Sequence, residues 1–168
     1  MKHPWSLWLR PEGKDQIKFK RLIDELSIEN QSCKFEPHVT LFGRVTTPPD
    51  PLFEFFEDQT IDQKQITSRI KDLRSGLLPW RSLFLEIERN PTLDLFQRRI
   101  IKPLIHLRDY HFDPHLSLVY SDQEATGKSI KDIPMKRNIR FGSLAVVQVP
   151  NNIDEWNIIS EFKFNFSG

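Results

Sequence analysis

The segment Pro37-His38-Val39-Thr40-Leu41 occurs a second time, in altered form, as Pro114-His115-Leu116-Ser117-Leu118. Each copy runs proline, histidine, apolar residue, hydroxyl residue, leucine, and each follows an acidic residue, Glu36 or Asp113. A histidine followed two positions later by Ser or Thr is common by itself. For a chain with five histidines and 12 prolines, chance predicts only about 0.001 copies of the full pattern. Each copy reads as a short strand headed by proline. Side chains on a strand alternate between faces, so His38 and Thr40 share one face while Val39 and Leu41 take the other. His115 and Ser117 divide from Leu116 and Leu118 in the same way. The fold must therefore supply two strands, each with an apolar face for a core and a face presenting imidazole beside hydroxyl. Set side by side, they line one cleft with four polar groups.

The remaining elements suit such a frame. Residues 5–9 predict a short, aromatic-rich strand. Residues 16–26 predict a helix, with Ile17, Phe19, Leu22, Ile23 and Leu26 at largely helical spacing. The first motif opens a strand over 37–45, ended by the proline cluster at 47–51. A turn or two of helix is expected at 52–57 and strands at 65–73 and 83–87. Asn90-Pro91 reads as a helix start, with apolar positions recurring to Leu107 and a break at Pro103, which lacks the backbone donor. Strands follow at 114–120, 139–149 and 156–166, with a polar stretch after 120 able to hold a short helix. This order has no regular βαβ rhythm, which predicts an α+β fold with antiparallel sheets.

Composition narrows the function. With 24 Lys+Arg against 23 Asp+Glu, the chain lacks the basic excess that holds long nucleic acid, while a small anionic ligand held by local groups fits. The single cysteine, Cys33, excludes an intramolecular disulfide and a cysteine-rich zinc site, and points to a reducing compartment, the cytoplasm. The N-terminal ten residues are too short and too charged for a signal peptide, and no apolar run approaches the roughly 20 residues of a membrane helix. His111 and His115 have the spacing of a helical metal pair, but Pro114 lies between them and denies the helix. His3 and His106 belong to no pattern. Trp5, Trp8 and Trp80 are candidates for stacking on a base, and Arg10, Arg44 and Arg81 for meeting a pyrophosphate, with nothing in the sequence to select among them.

Two imidazoles and two hydroxyls suit hydrolysis of a cyclic phosphodiester. A neutral histidine takes a proton from the attacking water, and a protonated one returns a proton to the departing ribose oxygen. Histidine's ordinary pKa of about 6.5 makes both forms available near neutrality. The hydroxyls donate to the non-bridging phosphate oxygens. None of these steps needs a metal.

In its segments Trp5-Ser6-Leu7-Trp8-Leu9, Glu36-Pro37-His38-Val39-Thr40-Leu41 and Pro114-His115-Leu116-Ser117-Leu118-Val119-Tyr120-Ser121-Asp122, the chain resembles the cyclic phosphodiesterase branch of the two-histidine (2H) phosphoesterase superfamily. The resemblance implies a bilobal α+β fold, one domain over 1–168, with two antiparallel sheets related by a pseudo-two-fold. These flank a central cleft, with helices packed outside. It implies His38 and His115 as catalytic, Thr40 and Ser117 as phosphate-binding, and Tyr120 as a substrate-site residue. Strand parity puts Tyr120 opposite His115, so that last role requires the strand to end or twist there. It also implies a monomer without cofactor or metal, acting on ADP-ribose 1″,2″-cyclic phosphate and nucleoside 2′,3′-cyclic phosphates. The expected products are ADP-ribose 1″-phosphate and nucleoside 2′-phosphates. RNA ends bearing a 2′,3′-cyclic phosphate, or binding of a nucleotide without turnover, are the alternatives. Which histidine is acid and which is base stays open.

Overall fold

The computed structural model describes residues 3–76 and 78–165. Seven strands, all antiparallel to their neighbours, run in the order β1-β2-β5-β4-β3-β6-β7, and β1 also pairs with β6. They are β1 (Trp5–Pro11), β2 (Val39–Val45), β3 (Ile66–Arg74), β4 (Leu83–Ile87), β5 (His115–Val119), β6 (Asn138–Gln148) and β7 (Asn157–Lys163). The α-helices are α1 (Gly13–Asn30), α2 (Phe53–Thr60) and α3 (Pro91–Ile101).

The two expected sheets are continuous rather than separate, because β6 is long enough to serve both. Its first residues pair with β3 from Phe141 back to Asn138, and the stretch from Ser143 to Gln148 pairs with β7. One lobe is thus β7, the later part of β6, β1 and β2. The other is the start of β6 with β3, β4 and β5. On the opposite side the lobes meet at a single ladder pair, Val39 opposite Leu116. Those two residues hold the same position in the two motifs, so the pseudo-two-fold passes between them.

Helix α3 begins where the Asn90-Pro91 pair predicts. The Asn90 side chain accepts from the Leu93 amide at 2.9 Å, a standard N-cap. The helix stops at Ile101, two residues before Pro103, so the apolar positions out to Leu107 continue only as turns. The polar stretch holds one 3-10 turn, Lys128–Asp132. The last strand ends at Lys163, short of the expected 166, a position outside the described residues. Among the described residues no helix is long and apolar enough to cross a membrane.

Strict alternation fails in β2, and the failure shapes the cleft. The β1–β2 register steps from Trp8–Thr40 to Leu7–Phe42, leaving Leu41 as an extra residue, then from Leu7–Phe42 to Trp5–Val45, leaving Gly43 and Arg44 opposite Ser6. Two bulges in succession let Leu41 and Phe42 both enter the core, each fully buried. The Leu41 carbonyl is satisfied from outside the sheet, by Gln97 Nε2 of α3 at 3.0 Å. Gln97 is itself buried. We expect Gln97→Leu to lower unfolding free energy by about 1–3 kcal/mol, the cost of leaving that carbonyl buried without a donor. Urea denaturation with an unchanged midpoint would show that the bulge does not depend on this bond.

Candidate active site

The single β2–β5 pair determines how the motifs face each other. Extending the antiparallel register by one residue each way sets His38 across from Ser117 and Thr40 across from His115. All four side chains lie on the face opposite Val39 and Leu116, which are fully buried.

Each imidazole is held by its own chain, in the same way. His38 Nδ1 lies 2.8 Å from the Glu36 carbonyl oxygen, and His115 Nδ1 lies 2.7 Å from that of Asp113. A carbonyl can only accept, so both nitrogens carry the hydrogen and both Nε2 atoms are left with a lone pair when neutral. Among the described residues neither Nε2 has a protein partner. The two acidic residues before the prolines are matched too: Glu36 pairs with Arg10 at 3.1 Å and Asp113 with Arg81 at 2.6 Å. The sequence shows the acidic residues but not the carbonyl anchors, which depend on the backbone path entering each strand.

The surroundings break the symmetry. Trp8 stands opposite Thr40 on β1, and Phe84 stands opposite Ser117 on β4, equivalent places in the two lobes. Trp8 stacks flat on His38, with centroids 3.6 Å apart and planes 6° apart, whereas Phe84 meets His115 edge-on at 5.5 Å and 72°. Phe35 and Trp156 close further around His38. His38 is 4% exposed. Burial, together with the nearby charges of His115 and Arg10, lowers its pKa to about 3, against the opposing effect of the Glu36 carbonyl. His115, only partly buried, is also lowered from its ordinary value, by burial and by Arg81, with the Asp113 carbonyl and carboxylate opposing.

Tyr120 lies just past the end of β5, so it is freed from strand parity and turns to the His38 side. Its ring packs against Phe35, Trp80 and Trp156. Burial pushes its hydroxyl pKa up to about 12, with the nearby Ser117 opposing. His38, Thr40, Tyr120, Trp8, Trp80 and Trp156 line one cleft of about 420 Å³, whose lining does not include His115 or Ser117. Of the tryptophans named from sequence, Trp5 is core, donating to the Thr47 carbonyl at 2.6 Å, and Trp8 is committed to His38. Trp80 is 48% exposed at the cleft. Trp156 was not singled out by the sequence, since nothing distinguishes it from a strand residue at the start of β7. Its place beside His38 comes from the turn Ile153–Glu155 before it. Among the described residues no three His, Cys, Asp or Glu side chains converge as a metal site.

No protein-family model matches the chain. A cyclic phosphodiesterase from Arabidopsis thaliana is 25% identical over 129 residues, covering 72% of this chain and 67% of that protein. The fold is shared with Escherichia coli LigT, crystallised with 3′-AMP, at a TM-score of 0.64 and 13% identity over 97% of this chain and 98% of LigT. It is shared equally with TT0787 of Thermus thermophilus, at 0.64 and 13% over 96% and 97%. LigT has also been crystallised with NADP+ and with ATP. The chain thus carries its duplicated motif on a fold shared with LigT and TT0787, and over 72% of its length it is similar to a cyclic phosphodiesterase.

Proposed function

We propose that this protein hydrolyses small cyclic phosphodiesters: nucleoside 2′,3′-cyclic phosphates to 2′-phosphates, and ADP-ribose 1″,2″-cyclic phosphate to the 1″-phosphate. The observation that carries the reading is the matched pair of imidazoles, each pinned at Nδ1 to a backbone carbonyl with Nε2 unpartnered, on strands that cross at Val39–Leu116. The Arabidopsis cyclic phosphodiesterase supports the reaction class. The balanced net charge favours a small substrate over an RNA end.

The unequal burial of the histidines supports a division of labour. His38, kept neutral by burial against Trp8, is the base: its Nε2 takes a proton from water as the water oxygen attacks phosphorus. His115, more open to water, is the acid: its Nε2 gives a proton to the ribose O3′ as the P–O3′ bond breaks, or to O2″ in the ADP-ribose substrate. The protons re-equilibrate with water afterwards. Thr40 and Ser117 donate to the non-bridging oxygens. Tyr120, un-ionised below its pKa of about 12, presents its hydroxyl as a further donor in the cleft.

His38→Ala and His115→Ala should each lower turnover of a 2′,3′-cyclic nucleotide by roughly 10²–10⁴, with wild-type turnover unaffected by chelator. Near-full activity in either variant, or loss with chelator that a divalent ion restores, would sink the mechanism. Catechol cyclic phosphate separates the roles, because its phenolic leaving group ionises near pH 10 and needs less help from an acid (about 10, as for tyrosine). His115→Ala should recover much of its loss on that substrate, and His38→Ala should not. The reverse pattern would exchange the two roles.

The pH profile of kcat/KM, which reports the free enzyme, should be a bell displaced to the acid side. Both histidine pKa values are lowered, so the basic form of His38 persists down to about pH 3, while His115 loses its proton as pH rises through a value below 6.5. The limbs belong to the coupled pair. A bound phosphodiester anion favours both imidazolium forms, so the kcat profile should lie at higher pH. An alkaline limb of kcat/KM above pH 7 would contradict the burial argument.

A further inference from the structure

The structure separates the three arginines that the sequence leaves equal. Arg10 is held between Glu36 and Glu161, each at 3.1 Å, and Arg81 is held by Asp113 at 2.6 Å. Arg44 has no carboxylate partner among the described residues. Its guanidinium donates to the Val149 carbonyl and to Asn151 Oδ1, both at 3.3 Å, and it lines the same cleft as His38 and Thr40.

Arg44 reaches that cleft through an unusual backbone. It occupies the second β2 bulge at φ 61°, in the left-handed region that favours glycine, with its amide donating to Ser6 Oγ at 3.0 Å. The bulge turns Gly43 and Arg44 together toward the cleft while Phe42 and Val45 stay in the core. A non-glycine residue held in this region beside a site is a common mark of function. Arg108, outside the cleft lining, helps hold the bulge by donating from Nη1 to the Gly43 carbonyl at 2.9 Å. The backbone of Arg44 lies up to about 13 Å from that of Thr40, four residues along the strand. That span, shortened by an arginine side chain, suits a second phosphate on the same small molecule better than the phosphate under attack.

We propose that Arg44 forms an anion subsite for a phosphoryl group carried at the 5′ side of the substrate, a monoester or a pyrophosphate. The proposal rests on the cyclic-phosphate reading of the cleft and adds what selects among cyclic phosphates. Two N–H groups of the guanidinium hold it in place, and the other three remain to fork onto phosphate oxygens.

The test compares kcat/KM for adenosine 2′,3′-cyclic phosphate with that for the same compound bearing a 5′-phosphate or a 5′-pyrophosphate, and with a dinucleotide ending in the cyclic phosphate. The wild type should favour a 5′-monoester or pyrophosphate by about tenfold or more, the usual worth of charge-assisted hydrogen bonds. In Arg44→Gln and Arg44→Gly that ratio should fall toward one. Glycine relieves the positive φ, so Arg44→Gly keeps the bulge if glutamine disturbs it. A preference left intact by both substitutions, or a wild type without one, would overturn the proposal, as would an Arg44-dependent preference confined to the dinucleotide. If no cyclic phosphate were turned over, the hydrolytic reading would fall. Calorimetric binding of adenosine 2′,5′-bisphosphate against the 2′-phosphate, by wild type and Arg44→Gly, would then decide the subsite by the same ratio.

Discussion

One antiparallel pair, Val39 opposite Leu116, governs the geometry of the site. Because these residues are equivalent in the two motifs, an antiparallel pairing at that point relates everything around it by a two-fold. A slip by one residue would turn one histidine and its hydroxyl into the core and expose a valine or leucine in their place. The register is therefore enforced by burial: Val39 and Leu116 are both completely enclosed, and neither strand could shift without exchanging apolar for polar side chains inside.

The two-fold is a property of the backbone, and the side chains around it depart from it. The carbonyl anchors match, as do the arginine–carboxylate pairs beside them. The aromatic neighbours do not: a tryptophan lies flat on one imidazole and a phenylalanine stands edge-on to the other. A flat stack covers the ring face and removes water from it, so desolvation weighs more on His38 than on His115. Two chemically identical groups thereby acquire different proton affinities, chiefly through packing and secondarily through the charges beside each.

Much of this was legible in the sequence, because the constraint was repeated. The motif strands, the polar face they share, the helix begun by Asn90-Pro91 and its interruption near Pro103 all follow from local rules. What escaped was whatever depends on irregular backbone or on distant segments. Period-two reasoning could not anticipate that Leu41 and Phe42 both turn inward: it puts Phe42 beside Thr40 on the cleft face and Gly43 on the core side, the reverse of what the bulges produce. It put Tyr120 on the wrong side unless the strand ended, and β5 does end, at Val119. Trp156 meets His38 through the turn before it and the return of β7 beside β6, a long-range pairing that no local pattern records.

The helices cross the junction between lobes. Helix α1 follows β1 in the chain yet packs on β5, and α3, which follows β4, packs on β2 as well as β3. Each lobe therefore places its helix beneath the other lobe's histidine strand. A junction held by one ladder pair would otherwise behave like a jaw, free to gape around the continuous β6. With a helix from each side bolted across it, opening would strip apolar core from both lobes at once. The spacing between the two histidine strands is therefore fixed by the same core packing that holds the helices, rather than by the one ladder pair alone.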